Sequence, residues 1–382
     1  MPTQPVLLVA ADFVKTGGMD RANFALGQYL AEQGREVHLV GHGASADLLR
    51  FPNVSFHRAP RPAGSNYLGG PALDHVGRYW ASKIAAQGGL TIVNGGNCRW
   101  GDVNWVHYVH AAYTPQIAGG LVRRLRWRLG HHTYLRDERL ALRRARVVMV
   151  NSQRTRRDVI EHCNVSADRV RCVYLGIDPD LFFPITAGQR GAAKKSLGWD
   201  AAPVVAFIGG LSDRRKGFDT VYAAWKALSG RSDWDVNLAV IGAGAEMPEW
   251  QARAEADGMG RRIRFLGFRR DVPAVLAACD AFVAPARYES YGMAVLEALC
   301  MGIPALVSRD AGVAERYPPE LSALLIDHPE NPEEVSGGLR NWYQHREEFA
   351  AQVRELSAGL RAHTWGKMAE EFMQAARSES NR

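Results

Sequence analysis

Short apolar runs alternate with longer amphipathic stretches along this chain of 382 residues, and the rhythm starts twice. Residues 6–11 read as a buried strand, 20–33 as a helix with Ala22, Leu26, Tyr29 and Leu30 on one side, and 36–41 as the next strand. After residue 200 the pattern restarts, with strands read at 204–208, 236–241, 263–266, 281–284 and 304–307 and a helix at 218–228. A β–α–β rhythm predicts parallel strands joined by crossover helices. Two such halves predict an α/β protein of two Rossmann-like, doubly wound domains facing a central cleft, with ligands at the carboxyl ends of the strands. The expected division is 1–185 for the first domain, 186–203 for a linker with a short helix, and 204–360 for the second domain. A C-terminal helix at 361–382 is expected to be free to pack back on the first domain, and everything beyond residue 331 reads as helical.

The length suits two domains. With 47% hydrophobic and 23% charged residues, each half has enough apolar surface for its own core. No run reaches the roughly 18 apolar residues of a membrane span. The apolar start lacks a basic segment before it and runs directly into Asp12, so it reads as a strand and not as a signal peptide. The five cysteines, Cys98, Cys163, Cys172, Cys279 and Cys300, are odd in number and form no CxxC pair. They suit reduced thiols in a cytoplasmic protein and exclude a disulfide framework or a zinc site. The net charge of +7 is unevenly spread: nine arginines but only Asp137 and Glu138 lie between residues 121 and 146. This run reads either as a basic patch for a phospholipid or polyanionic surface or as a solvated helical face.

The segment carrying most chemistry is 285–307, PARYESYGMAVLEALCMGIPALV. A strand ends near Ala284, a turn carries Tyr288 to Gly292, and a helix runs to Cys300 and stops at Gly302. The turn therefore presents a helix N-terminus, whose free N–H groups and dipole favour an anion such as a pyrophosphate. Glu289 in the turn and Glu297 inside the helix reach two parts of one long ligand, and a carboxylate is a good acceptor for paired sugar hydroxyls.

In this setting Glu289 and Glu297, eight positions apart, resemble the E-x7-E motif of the retaining GT-B glycosyltransferases, a family that includes bacterial mannosyltransferases, lipopolysaccharide core glucosyltransferases and sucrose synthases. The resemblance extends in order through TGGMDRANFALGQYLAEQGREVHLV (16–40), VNSQRTRRDV (150–159), VYLGIDPDLFFP (173–184), AVIGAGAE (239–246) and IRFLGFRRDV (263–272), and covers residues 5–310. It implies a GT-B fold, with an acceptor-binding first domain and a nucleotide-sugar-binding second domain.

By the same resemblance Glu297 binds the ribose, and Glu289 holds donor-sugar hydroxyls with backbone groups at Ser290, Tyr291, Gly292 and Met293. Gly17 and Gly18 let the backbone approach phosphates and sugar, which suits residues without side chains. In GGLSDRRKGFD (209–219) the family's arginine position is Gly210, a departure; Lys216 matches the family's lysine and Arg215 resembles the arginine of a known variant. Two cations there would neutralise a leaving diphosphate. The backbone around Phe268 and the turn at Gly242 are implied beside the nucleobase. Many members place a histidine on the donor sugar. In VNWVHYVHAAY (103–113) His110 is preferred over His107 as nearer the strand end, and the two are expected on opposite faces. His131 and His132 read as surface residues.

The function implied is retaining transfer of a hexose from a nucleoside diphosphate sugar, UDP-linked in preference to GDP-mannose, to a glycan or lipid-linked acceptor in polysaccharide or lipopolysaccharide assembly. No acidic pair suits a metal and no cofactor beyond the donor substrate is expected. A nucleic-acid partner is not expected. The location expected is cytoplasmic, with peripheral contact to an anionic membrane through Arg123–Arg146, where Leu125 and Trp127 are interleaved. Rivals of the same architecture are phosphorylases and 2-epimerases, which lack a motif here, and a dehydrogenase, which lacks the full glycine fingerprint. A nucleotide-sugar-binding scaffold without activity is the remaining alternative.

Overall fold

The structure is a computed structural model that describes residues 4–116 and 121–378. Two compact units divide them. The first takes the described residues of Met1–Thr114, Leu121–Gly176 and Thr364–Arg382, the second those of Pro115–Gly120 and Ile177–His363.

In the first unit, strands β1 (Val6–Val9), β2 (Val37–Gly41), β3 (Val54–Arg58), β4 (Leu90–Asn94), β5 (Val103–Val106), β6 (Val147–Val150) and β7 (Val170–Cys172) form one parallel sheet in the order β3-β2-β1-β4-β5-β6-β7. β1 and β6 read VLLV and VVMV and are wholly buried, as a strand covered by helices on both faces must be. The crossovers carry helices α1 (Gly18–Glu32), α2 (Asn66–Ala86), α3 (Leu121–Arg144) and α4 (Gln153–Cys163). The order reverses between β1 and β4, which makes the carboxyl ends of those strands the switch point.

The second unit repeats the design. Strands β8 (Val204–Ile208), β9 (Asn237–Ile241), β10 (Ile263–Gly267), β11 (Ala281–Ala284), β12 (Ala305–Ser308) and β13 (Leu325–Ile326) run parallel in the order β10-β9-β8-β11-β12-β13. Its switch point lies between β8 and β11. Helix α6 (Phe218–Ser229) buries Phe218 among Phe207, Trp250 and Phe265, at ring separations of 5.2, 5.2 and 5.8 Å.

The stretch 186–203, expected as a linker with a short helix, lies within the second unit, whose longer segment is Ile177–His363. It folds as α5 (Ala187–Ser196), started by a capping box between Thr186 and Gln189. Arg190 and Lys194 pair with Asp280 at 3.1 and 2.7 Å, and buried Trp199 lies under the guanidinium of Arg264. Three anchored side chains outweigh a composition rich in Ala, Gly and Lys.

The tail is helical, as α10 (Pro332–Gln344), α11 (Arg346–Arg361) and α12 (Trp365–Ser378). α10 packs on α6, and Ser357 of α11 donates to the Cys300 carbonyl at 2.7 Å. α12 belongs to the first unit: it packs on α1, and Phe372 lies 4.7 Å from the fully buried Trp105 ring. Gly176 permits this return, because a Cβ there would meet the Thr364 backbone at 2.6 Å.

Candidate active site

In the second unit, the loops leaving the two strands that flank the switch point meet. From β8 comes the turn Arg214–Lys216, begun by Asp213, which accepts from the Arg215 N–H, and ended by Gly217. Gly217 has φ +75° and its Cβ would stand 2.0 Å from the Pro285 carbonyl oxygen, so only glycine lets the turn lie against the neighbouring loop. From β11 comes the loop with Glu289, followed by α9 (Met293–Cys300).

Lys216 Nζ is hydrogen-bonded to Glu289 Oε2, and Arg215 Nη1 lies 4.0 Å from the same oxygen while donating to the Tyr288 carbonyl at 3.1 Å. Burial pushes the Glu289 carboxyl up. Lys216, Arg215 and the Tyr291 N–H outweigh burial and hold it below the usual carboxylate range. The loop is pinned from outside: the Glu289 carbonyl accepts from Gly312 at 3.2 Å and the Tyr291 carbonyl from Val313 at 2.7 Å. Ser290 and Tyr291 are buried, so their side chains serve the fold. Gly292, at φ +113°, precedes α9, and no side chain caps that helix. Glu297 lies one turn further along α9 and is half-buried. A small cavity beside these groups is lined by Lys216, Glu289, Gly292 and Ala294 together with apolar side chains of the sheet.

The flanking glycines divide by role. A Cβ on Gly242 would stand 2.0 Å from the Gly209 carbonyl oxygen, so Gly242 is required by the approach of two loops of the protein itself. Gly210 is exposed and opens on free space, with only the Ala243 carbonyl at 4.0 Å. Phe268 follows β10 and is 69% exposed.

In the first unit, Gly17 has φ +78° and turns the chain from the β1 side into α1, whose N-terminus has no side-chain cap. Gly18 is the first residue of that helix. Asp20, in the same first turn, has a buried Oδ1 that meets no hydrogen-bond partner among the described residues. Burial, with repulsion from Asp12 and a smaller opposing pull from Arg61, raises its carboxyl to about 6. Arg61 itself pairs with Asp12 at 2.8 Å.

β5 stops at Val106, earlier than the sequence suggests, so the two histidines do not alternate on one strand. His107 is buried, which lowers its pKa to about 3 and keeps it neutral. His110 opens a short 3-10 turn, half-buried. Its ring stacks on Tyr134 at 5.2 Å, and its Nδ1 lies 3.1 Å from Glu138 of α3. His131 is not the isolated surface residue expected: burial lowers its pKa, and it is close enough to His110 and Glu138 to feel both.

Sequence comparison assigns the two units separately. A family profile described as Glycosyltransferase Family 4 matches residues 16–181, and one described as Glycosyl transferases group 1 matches residues 202–345. The solved structure of WaaG, a glycosyltransferase involved in lipopolysaccharide biosynthesis, superposes with a TM-score of 0.77 over 96% of this chain and 99% of that one, at 20% identity. The chain has the GT-B fold. Anabaena HepE, solved with UDP and glucose, shares the GT-B fold with a TM-score of 0.75 at 18% identity, covering 98% of this chain and all of that one. The D-inositol 3-phosphate glycosyltransferase of Corynebacterium glutamicum is 32% identical over 192 residues, 48% of this chain and 46% of that protein. The counterpart from Corynebacterium efficiens is 26% identical over 344 residues, 82% and 79% of the two chains. The match thus spans less than half the length of the more identical relative.

Within this GT-B frame the departure at Gly210 has a geometric counterpart, since Arg215 reaches Glu289 from the next turn of the same loop. Two further residues, one in each unit, escaped sequence reading. Arg287 donates its guanidinium to both oxygens of Asp219 at 2.8 Å, to Glu330 at 2.8 Å and to the Arg214 carbonyl, and its N–H bonds the Arg215 carbonyl at 2.8 Å. It clamps the cationic turn onto the Glu289 loop. The other is Glu138. Their neighbours in sequence are arginines or turn residues, and only the partner across the fold marks them. Of the membrane patch expected at Arg123–Arg146, the residues up to Arg144 belong to α3, but the side chains of residues 121–127 and 129 are outside the described residues. Among the described residues no helix is long and apolar enough to cross a membrane.

Proposed function

We propose that this protein is a retaining glycosyltransferase that moves a hexose from a nucleoside diphosphate sugar to a hydroxyl of a glycan or lipid-linked acceptor. The observation that carries the reading is the triad Glu289, Lys216 and Arg215 at the switch point of the second sheet, beside the uncapped start of α9. The carboxylate orients sugar hydroxyls, and the two cations with the helix N-terminus receive the diphosphate. Glu297 holds the ribose, and Gly17, Gly18, Gly210, Gly242, Phe268 and the backbone of residues 290–293 line the donor. His110 meets the sugar.

In the reaction the bond from the anomeric carbon to the diphosphate oxygen breaks and its electron pair leaves with the diphosphate. The acceptor oxygen bonds to the same face of that carbon. Its proton passes to the departing phosphate oxygen. No protein group needs to become covalently attached, and no metal or cofactor is assigned a role. UDP is the preferred carrier, with GDP second; the UDP and glucose held by HepE support that choice. Part of the acceptor binding is assigned to an anionic membrane surface met by the arginines of α3.

The test is thermal stabilisation by a panel of nucleotides and nucleotide sugars, on the wild type and on Glu297→Ala. A ligand at about 100 times its Kd adds about 2.7 kcal/mol to native stability. Stabilisation by a uridine nucleotide that the variant loses, followed by a product of retained anomeric configuration in NMR, supports the reading. A wild type that no nucleotide stabilises overturns it and leaves a scaffold without donor binding.

A further inference from the structure

Glu138 is 1% exposed, and its carboxylate meets four donors. Oε1 accepts from the His110 backbone N–H at 2.9 Å and faces His110 Nδ1 at 3.1 Å. Oε2 accepts from the Ala111 N–H at 3.3 Å and from the Cys163 thiol at 3.8 Å. Burial, with Glu138 beside it, pushes that thiol up to about 12, so it stays a neutral donor. Among the described residues the ion-pair partner of Glu138 is His110 itself.

Both oxygens face N–H groups, so the carboxylate is the acceptor throughout and the hydrogen of the neutral imidazole resides on Nδ1. Nε2, on the other edge of the ring, is then a bare lone pair. No group among the described residues pairs with it, and the side chain is 35% exposed. Stacking on Tyr134 and edge contact with Tyr108 at 4.9 Å hold the ring plane, while His131 of α3 is close enough to His110 to feel its charge.

We propose that Glu138 is a positioning residue that fixes His110 as a hydrogen-bond acceptor, so that Nε2 selects a ligand presenting a hydroxyl hydrogen. The class of ligand is a saccharide or other polyol, and a carboxylate or phosphate oxygen at that point is refused. This assignment rests on the proposed transferase reading for the identity of the ligand, but not for the state of the ring. The carboxylate acts only through His110 and touches no substrate.

The test uses the full chain. Side-chain 15N NMR at mildly alkaline pH, with His110 assigned by its loss in His110→Ala, is expected to show hydrogen on Nδ1 in the wild type and a mixture of both tautomers in Glu138→Ala. In transfer assays Glu138→Ala is expected to lower kcat/KM about tenfold, the scale of one charge-assisted hydrogen bond, and to cost nothing further in a His110→Ala background. Should the alanine variant not fold, Glu138→Gln carries the same cycle. Hydrogen on Nε2 in the wild type, or an equal loss in both backgrounds, overturns the proposal. If the wild type transfers no sugar, the transferase reading falls while the NMR experiment still decides the tautomer.

Discussion

Glu289 in the second unit is held by cations, whereas Glu138 in the first is held by backbone N–H groups, a thiol and an imidazole. The two carboxylates are both largely buried, yet they are satisfied by different physics. Neutral dipoles fixed in a fold cannot turn to another partner, so Glu138 is an anchor. Lysine and arginine side chains can, and an arriving diphosphate would compete with Glu289 for Lys216 and Arg215. A site that exchanges ligands needs the second arrangement, and a loop that must not move needs the first.

The strongest challenge to that contrast is Glu289→Gln. The cations then face a neutral amide, and kcat/KM for transfer is expected to fall by about two orders of magnitude or more, the scale of losing one preorganised electrostatic contact. The about tenfold loss expected of Glu138→Ala is the comparison; equal losses would erase the distinction drawn between ligand contact and anchor. Next comes Arg287→Met, which strands Asp219 and frees the cationic turn. Breaking a buried pair costs about 3 kcal/mol, read from the denaturant midpoint, and donor KM should rise with it.

Asp20 sharpens the comparison by pH. Its carboxyl titrates at about 6 in the folded protein against 3.8 for an ordinary aspartate. Below 3.8 both states hold the proton and the residue is neutral in cost. Between the two values the unfolded chain ionises first, so stability falls as pH rises, and above about 6 the penalty is complete. Asp20→Asn is therefore expected to match the wild type only below about pH 3.8 and to exceed it at neutral pH by about 1–2 kcal/mol, discounted for partial exposure. Glu289 has the opposite sign: its stabilising pairing is present above the ordinary carboxylate range and is lost as pH falls through its depressed value. The smallest effect is expected of Gly210→Arg, where a side chain enters open space: stability should change by less than about 0.5 kcal/mol.

Much of the second unit was legible because β8, β11 and β12 are short apolar runs followed by loops rich in glycine or charge, and Glu289 and Lys216 lie in those loops. Less of the first unit was. α2 carries Gly69, Gly70 and Pro71 in its first turns, and its pattern does not announce a helix of 21 residues. α3 is polar on most sides, so an arginine run hides both its length and the one acid that turns inward. Glu138 is 28 residues from His110 in sequence, and no local pattern carries a contact across that distance. The ties of 186–203 to the second unit were hidden for the same reason, since Asp280 answers Arg190 from 90 residues away.

The return of α12 to the first unit has a consequence for synthesis. Trp105, Met368, Ala369 and Phe372 are all fully buried in that unit, yet residues 177–363 are translated between them. The second unit has all its strands before Trp365 leaves the ribosome. The first unit is begun before the second and completed after it, with Trp105 awaiting Phe372 until α12 has been made.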